Sequence, residues 1–404
     1  MKLAILTQYY PPEIGAPQRR LSSLAGHFVQ AGHEVEVLAA MPNYPLGRIY
    51  DGYGGVLRHE TRDGVRVTRT FIYPTQRTSF THRLANYFSF VASSAVAGTV
   101  SLGHPDYLMV ESPPLFLGLS GMWLRRVRHT RVIFNVSDLW PETAVRLGVV
   151  REGSIIHRVS TWLERRCYRD AWLVTGQSKE IVAGIEAVAP GTRTYHLSNG
   201  VDSSEFGAER ATSDARRTLG DGRCITLYAG LHGIAQGLNQ ILDAAAALQG
   251  EDGPDFVFLG DGPKKAELQQ AAKDRGLERV RFLDARPSNE LAPLLAAADI
   301  LVVPLGYAIP GAVPSKLYEA MASAKPIVLV AGGEPASIVE SSGAGLVVPP
   351  GDTPGLAGAL RRLRDDPALR DELGSNGRRA ACQLYDRTAI ARRFISYLEN
   401  GLQE

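Results

Sequence analysis

The sequence predicts an α/β protein built from two doubly wound domains with parallel sheets and a cleft between them. Three observations carry this. Short apolar runs alternate with helical patterns along nearly the whole chain. At 404 residues the chain exceeds the usual size of one hydrophobic core. The strand and helix pattern pauses near residue 197 and starts again after LSNGVD, with no tandem repeat of sequence. The expected division is residues 1–197, residues 198–385, and a C-terminal helix over 386–404 that packs back on the first domain. Interfaces between domains are favoured ligand sites.

The first domain opens with KLAILTQ (2–8), an apolar strand, then YYPPEIGAPQRR and a helix with Leu21, Leu24, Phe28 and Val29 on one face. Strand, glycine loop and helix make a recurrent anion cradle, and Gly15 and Arg19 are its candidates. One glycine is a weak signal, and the competing reading of Arg19 and Arg20 is surface charge. AGHEVEVLAA (31–40) supplies a helix stop and a second strand, and GVRVTRTFI (64–72) a third. Leu84 to Gly103 carries no charge and has the length of a membrane span. Asn86, Ser89, Ser93 and Ser94 would be costly in lipid, which favours a helix packed within a large domain. DYLMVESPP is a buried strand, and the apolar helix after it ends in the basic cluster LRRVRHTR. RVIFNV then runs directly into SDLWPETA. A carboxylate just beyond a strand's carboxyl end lies where pockets are built, so Asp138 is a candidate for contacting a reacting substrate. The rival reading is that Asp138 caps a short helix.

The second domain repeats the pattern with RCITLYAG (223–230), DFVFLGDGP (255–263), RVRFLDARP (279–287), DILVVPL (299–305) and PIVLV (326–330). Its organising stretch is PGAVPSKLYEAMASAKPI (310–327), which reads as loop, short helix and strand entry. Pro314 suits a helix lead-in because its φ is preset and its missing N–H costs nothing. Ser315 caps or enters the first turn. Lys316 stands in that turn, where a cation has the wrong sign for the helix dipole unless it faces a bound anion. Glu319, three residues on, shares its face and suits neutral hydroxyls. The bland alternative is an exposed ion pair between the two.

Composition excludes disorder, since hydrophobic residues make up 45% and charged residues 21%. The net charge of +2 hides an asymmetry: residues 1–200 hold 22 Lys+Arg against 15 Asp+Glu, a balance of +7, and the remainder 22 against 27, or −5. A basic first half suggests an anionic partner or membrane surface, against the commoner reading of solvated arginines. Arg125, Arg126, Arg128 and Arg131, with the aromatic stretch Phe80 to Phe90, form the expected docking surface. The three cysteines lie far apart without CxxC spacing, which supports neither zinc nor a disulfide framework and fits a reducing cytoplasm. The N-terminus reads as a first strand, not a secretory signal. No Asp-x-Asp triplet suited to a metal is present, and no nucleic-acid partner is expected.

In order and register, YYPPEIGAP, AGHEV, SNGVD, FLGDGP, PSKLYEAMASAKP and GAGLVVP resemble the retaining nucleotide-sugar glycosyltransferases of family four, whose GT-B fold has two facing Rossmann-like domains. DLWPE, AQGL and the spacing around Lys316 look most like the bacterial surface-polysaccharide branch that includes fucosaminyltransferases. Three departures stand out. The family's Glu, seven residues, Glu has Gly311 at its first position, so only Glu319 carries over. The customary arginine and lysine after the second domain's first strand fall on Leu231 and Gln236. Ser137 stands where a histidine often precedes the aspartate.

The resemblance implies transfer of a sugar, with an N-acetylated amino sugar in view, from a UDP-sugar to a hydroxyl of a glycan or lipid-linked glycan, in the cytoplasm or at the inner face of the plasma membrane. It implies no cofactor beyond the donor and no metal. Lys316, the amides of Gly311, Ala312, Val313 and Ser315, and those from Gly233 onward would hold the diphosphate, with Arg286 and Arg19 as further candidates. Glu319 would bind the ribose, Ala285 and Arg286 the base, and Asp138 would orient the acceptor or stabilise the ring cation. The alternatives are a nucleotide-sugar epimerase of the same architecture and a nucleotide-sugar-binding protein that has lost catalysis.

Overall fold

Each central strand is apolar on both faces, as a parallel sheet covered by helices on both sides demands. The computed structural model describes residues 1–77, 80–146, 148–220, 224–249, 252–307 and 310–403, without the side chains of Phe80 and Ser288. The chain divides into two units, Met1–Asn199 with residues 390–404, and Gly200–Ala389.

In the first unit, β1 (Lys2–Thr7), α1 (Ala16–Gln30), β2 (Glu34–Ala40), β3 (Leu57–Arg62) and β4 (Val65–Thr70) are followed by α2 (Phe80–Ser101), β5 (Tyr107–Ser112) and α3 (Leu117–Arg128). β6 (Arg131–Val136), α4 (Glu142–Arg146), α5 (Ile155–Asp170), β7 (Leu173–Gly176), α6 (Lys179–Val188) and β8 (Thr194–His196) complete it. The sheet runs β3-β4-β2-β1-β5-β6-β7-β8, so the strand order reverses direction between β1 and β5. Ala4 and Leu6 pack with Phe90 of α2, Leu124 of α3 and Leu163 of α5. Leu3 and Ile5 pack on the opposite layer with Phe28 of α1 and with Phe394 and Leu398 from the chain's last helix. The sequence reading missed β3, which pairs antiparallel with β4. Its signal was Asp63-Gly64, whose φ values of 51° and 79° are those of the two-residue turn that joins hairpin strands.

The uncharged segment from Leu84 to Gly103 lies mostly in α2. Its hydroxyls are used locally: Ser93 donates to the Phe71 carbonyl at 2.5 Å, Ser89 accepts from the Tyr73 N–H at 2.8 Å, and Ser94 bonds Ser120 on α3 at 2.9 Å. Among the described residues no helix is long and apolar enough to cross a membrane.

The second unit contains α7 (Ser213–Leu219), β9 (Ile225–Ala229), α8 (Asn239–Ala247), β10 (Asp255–Leu259), α9 (Lys265–Asp274), β11 (Val280–Leu283), α10 (Ser288–Ala297) and β12 (Ile300–Pro304). α11 (Ser315–Ala322), β13 (Ile327–Val330), α12 (Glu334–Ser342), β14 (Gly345–Val348), α13 (Thr353–Asp365), α14 (Pro367–Leu384) and α15 (Arg387–Gly401) follow, α15 ending in the first unit. The sheet order is β11-β10-β9-β12-β13-β14, all parallel, with the reversal between β9 and β12. In such sheets a crevice opens at that reversal, outside the strands' carboxyl ends. The loops after β9 and β12 therefore flank one position, although 70 residues of sequence lie between those strands.

Candidate active site

The second unit's site is built from those two loops. After β9 the chain continues as Gly230-Leu231-His232-Gly233, and it is pinned at the edges: the Gly230 N–H donates to the Leu259 carbonyl at 2.8 Å, and the His232 N–H to that of Asp261 at 2.8 Å. A Cβ on Gly260, where φ is +145°, would stand 1.9 Å from the Gly230 carbonyl oxygen, so only glycine fits. The His232 ring is fully buried among Tyr228, Phe258 and Phe282. Burial pushes its pKa down, with Lys265 adding to the effect. His232 is thus a neutral filler beneath the loop. Beyond it, the N–H groups of Gly233, Ile234, Ala235 and Gln236 find no protein acceptor among the described residues.

From the other side comes α11. Gly311 holds a φ of +73°, a turn that favours glycine. Pro314 occupies the cap position of α11 without a side-chain bond, so Ser315 enters the first turn and does not cap it. The amides of Ala312, Val313, Ser315 and Lys316 also find no protein acceptor among the described residues. The Lys316 side chain crosses over Gly230. Among the described residues no hydrogen bond or ion pair holds its ammonium, and none joins it to Glu319, so the bland pairing is not formed. Two sets of uncommitted N–H groups and one uncommitted cation at a sheet's reversal point make an anion site.

The remaining candidates of this unit stand apart from Lys316. Ala285 and Arg286 follow β11, the edge strand two places from β9, and both are exposed. Arg286 pairs with Glu290 on α10 at 3.6 Å.

In the first unit, Gly15 occupies the cap position just before α1, and Arg19 lies in the helix's first turns. The structure commits the neighbouring arginine. Arg20 is ion-paired to Glu111 of β5 and donates to Ser137 Oγ at 2.7 Å, Gln177 Oε1 at 2.7 Å and Asn199 Oδ1 at 2.9 Å. Ser137 in turn donates to Glu111 at 2.6 Å, and Asn135 bonds the second carboxylate oxygen. This network spans the β1–β5 reversal and corrects the reading of Arg20 as surface charge. The available signal was Glu111, a carboxylate inside the apolar run DYLMVES.

Asp138 follows Ser137 at the same end of the sheet. α4 starts only at Glu142, and no hydrogen bond reaches the Asp138 carboxylate among the described residues, so it does not cap that helix. Burial raises its pKa to about 6, Arg20 opposing and Glu111 adding to the rise. Among the described residues no group of three or more His, Cys, Asp or Glu is placed to hold a metal ion.

Two family models account for most of the chain: "Glycosyl transferase 4-like domain" over residues 15–200 and "Glycosyl transferases group 1" over residues 209–380. The chain is a GT-B glycosyltransferase of the family-four type. The transferase is 26% identical over 331 residues to WcaI of Escherichia coli (strain K12), provisionally named a colanic acid biosynthesis glycosyl transferase, an alignment that covers 80% of this chain and 81% of WcaI. Sucrose-phosphate synthase from Thermosynechococcus elongatus has the same fold, with a TM-score of 0.76 at 21% identity over 100% of this chain and 99% of that one. HepE of Anabaena, solved in complex with UDP, superposes with a TM-score of 0.74 at 18% identity, covering 99% of this chain and 100% of that one.

Proposed function

We propose that the transferase moves a sugar from a UDP-sugar to a hydroxyl of a glycan or lipid-linked glycan in the cytoplasm, with retention at the anomeric carbon. The observation that carries this is Lys316, an uncommitted cation laid over Gly230 between two loops of unpartnered N–H groups. Breaking a sugar–diphosphate bond develops negative charge on the leaving phosphate, and preorganised donors stabilise it as it forms. Lys316 supplies the charge that the family usually draws from Arg and Lys at the positions of Leu231 and Gln236. The amides of residues 233–236 and of Ala312, Val313, Ser315 and Lys316 share the load. HepE, with the same fold, is known in complexes with UDP and with UDP-glucose, which supports UDP as the nucleotide.

Glu319 accepts from ribose hydroxyls, and Ala285 and Arg286 face the base. Asp138, ionised, orients the acceptor or stabilises the cationic ring, while the leaving phosphate takes the acceptor proton on the same face. No metal enters this scheme. The DLWPE and AQGL motifs favour an N-acetylated amino sugar of the surface-polysaccharide branch. Leu231 and Gln236 also suit a binding protein without catalysis, so the test must separate the two. Incubation with a panel of UDP- and GDP-sugars, followed for binding, slow hydrolysis and isomerisation, does so. Slow release of UDP supports transfer; isomerisation indicates an epimerase; binding without turnover under any acceptor overturns catalysis.

A further inference from the structure

The outer surface of α2, α3 and α5 is not that of an ordinary solvated helix layer. Ala85, Phe88, Ala92, Val96 and Val100 follow helical spacing along the exposed stripe of α2, which carries no charge after Arg83. Val96 is 68% exposed and Val100 70%. On α3, Trp123 is exposed and its indole N–H donates to Thr99 Oγ1 at 3.0 Å, laying the ring along α2. On α5, Ile155, Val159 and Trp162 are exposed at 80%, 51% and 61%. Soluble proteins seldom leave such apolar area uncovered without a partner.

The charges on this surface have one sign. Arg125 and Arg126 end α3, and Arg158, Arg165, Arg166 and Arg169 rise from α5, several of them lining an open recess of about 500 Å³ with Trp162. Among the described residues of these three helices no carboxylate is exposed. Glu164 is buried and accepts from the Tyr168 hydroxyl at 3.0 Å, and Asp170 is taken by Arg166 at 2.9 Å. The expected docking surface is corrected here: Arg128 is used to bond the carbonyls of Gly98 and Thr99 at the end of α2, and Arg131 bonds the Gly401 carbonyl and lies against Trp172. Phe80, also named for that surface, has its side chain outside the described residues.

We propose that the α2–α3–α5 face docks on an anionic lipid bilayer, with Val96, Val100, Trp123, Ile155 and Trp162 entering the headgroup boundary and the α5 arginines on lipid phosphates. Charge selects this occupant. A second copy of the same face would set arginine against arginine, whereas an anionic bilayer offers apolar depth and negative charge together. Tryptophan and arginine suit that boundary, the ring at headgroup level and the long stem buried with its cation in water. The docking rests on the surface alone; only its use, bringing the transferase to a lipid-linked acceptor, rests on the transfer reading. The segment after β4 is tied to α2 through Ser89 and Ser93, so the patch continues to the carboxyl-end rim of the first sheet.

The test is flotation of the full chain with phosphatidylcholine vesicles that contain or lack phosphatidylglycerol, at low and high salt. Enrichment is expected only on the anionic vesicles, and it should fade with salt. The variant Arg158→Glu/Arg165→Glu/Arg169→Glu should lose at least about fivefold in partitioning for each arginine, since reversing the charge removes the attraction of one basic side chain to an anionic surface and adds repulsion. Trp123→Ser/Trp162→Ser should weaken binding at both salts, and a blue shift of tryptophan emission on the vesicles should vanish with it. Circular dichroism and UDP binding, measured on every variant, report folding and the donor site separately. No enrichment on anionic vesicles, enrichment indifferent to both variants, or a dimer in solution that Trp162→Ser dissolves, would overturn the proposal, and none of these would touch the transfer reading.

Discussion

A Cβ placed on Gly230 would stand 2.2 Å from Lys316 Cε and 2.9 Å from its Nζ, so the absence of a side chain just past the end of β9 is what seats the ammonium. The two nearest lysine atoms are the flexible end of that side chain, which can swing away at little cost to the fold; Tyr228 Oη, also at 2.9 Å, belongs to a buried ring bonded to the Leu231 carbonyl and must shift slightly. Gly230→Ala should therefore lower its thermal transition only modestly and lose UDP-sugar affinity, approaching Lys316→Ala, for which about 1.5–3 kcal/mol is expected from hydrogen bonds to a charged group. Calorimetry of both variants checks it. Wild-type affinity in Gly230→Ala would show that Lys316 does not act from this position.

Glu319 lies on the face of α11 that Lys316 begins. Glu319→Ala should weaken UDP binding by about 1.5–3 kcal/mol. Uridine and UDP should lose equally, because the carboxylate serves the ribose. A loss confined to UDP would assign Glu319 to the diphosphate region instead.

Asp138 sets a pH dependence. Burial holds its carboxyl at about 6 in place of 3.8, and transfer uses the ionised form, so kcat/KM should fall as the pH drops below about 6. Asp138→Asn should remove that limb and lower turnover by on the order of a hundredfold. Stability runs the other way. A raised carboxylate pKa means that ionisation costs the folded state increasingly between about pH 4 and pH 6, so the asparagine variant should gain stability above pH 6 and none below pH 4. Urea titrations at both extremes distinguish these outcomes.

The Glu111 carboxylate holds Arg20, Ser137 and Asn135 together. Glu111→Ala leaves a mostly buried guanidinium without its counter-charge and should destabilise the first unit by roughly 3–5 kcal/mol. Glu111→Gln, which retains hydrogen bonding, should cost less. Denaturant unfolding gives both values, and equal losses would argue that charge alone, not hydrogen bonding or packing, is what Glu111 contributes.

Turnover should persist in EDTA, since the scheme gives the diphosphate charge to Lys316 and backbone amides. Loss of activity restored by magnesium or manganese would contradict that.

Local pattern was enough to place most strands, because burial on both faces writes continuous apolar runs into the sequence, and enough to place Lys316 and Glu319 on one short helix after an apolar strand. Even β3 was written locally, in the Asp63-Gly64 turn. What periodicity does not encode is which strands become neighbours. That Gly230 lies beneath Lys316 follows from β9 pairing with β12. That Arg20 reaches Glu111, 91 residues away, follows from β1 pairing with β5. Both are settled by crossover connections that cover a sheet on two sides. The same holds for α2: its uncharged stretch was plain in the sequence, but only packing against the sheet and α3 decided that Phe90 and Ala97 turn inward while Val96 and Val100 face out. A helix with apolar residues all around carries no moment strong enough to choose its own buried side.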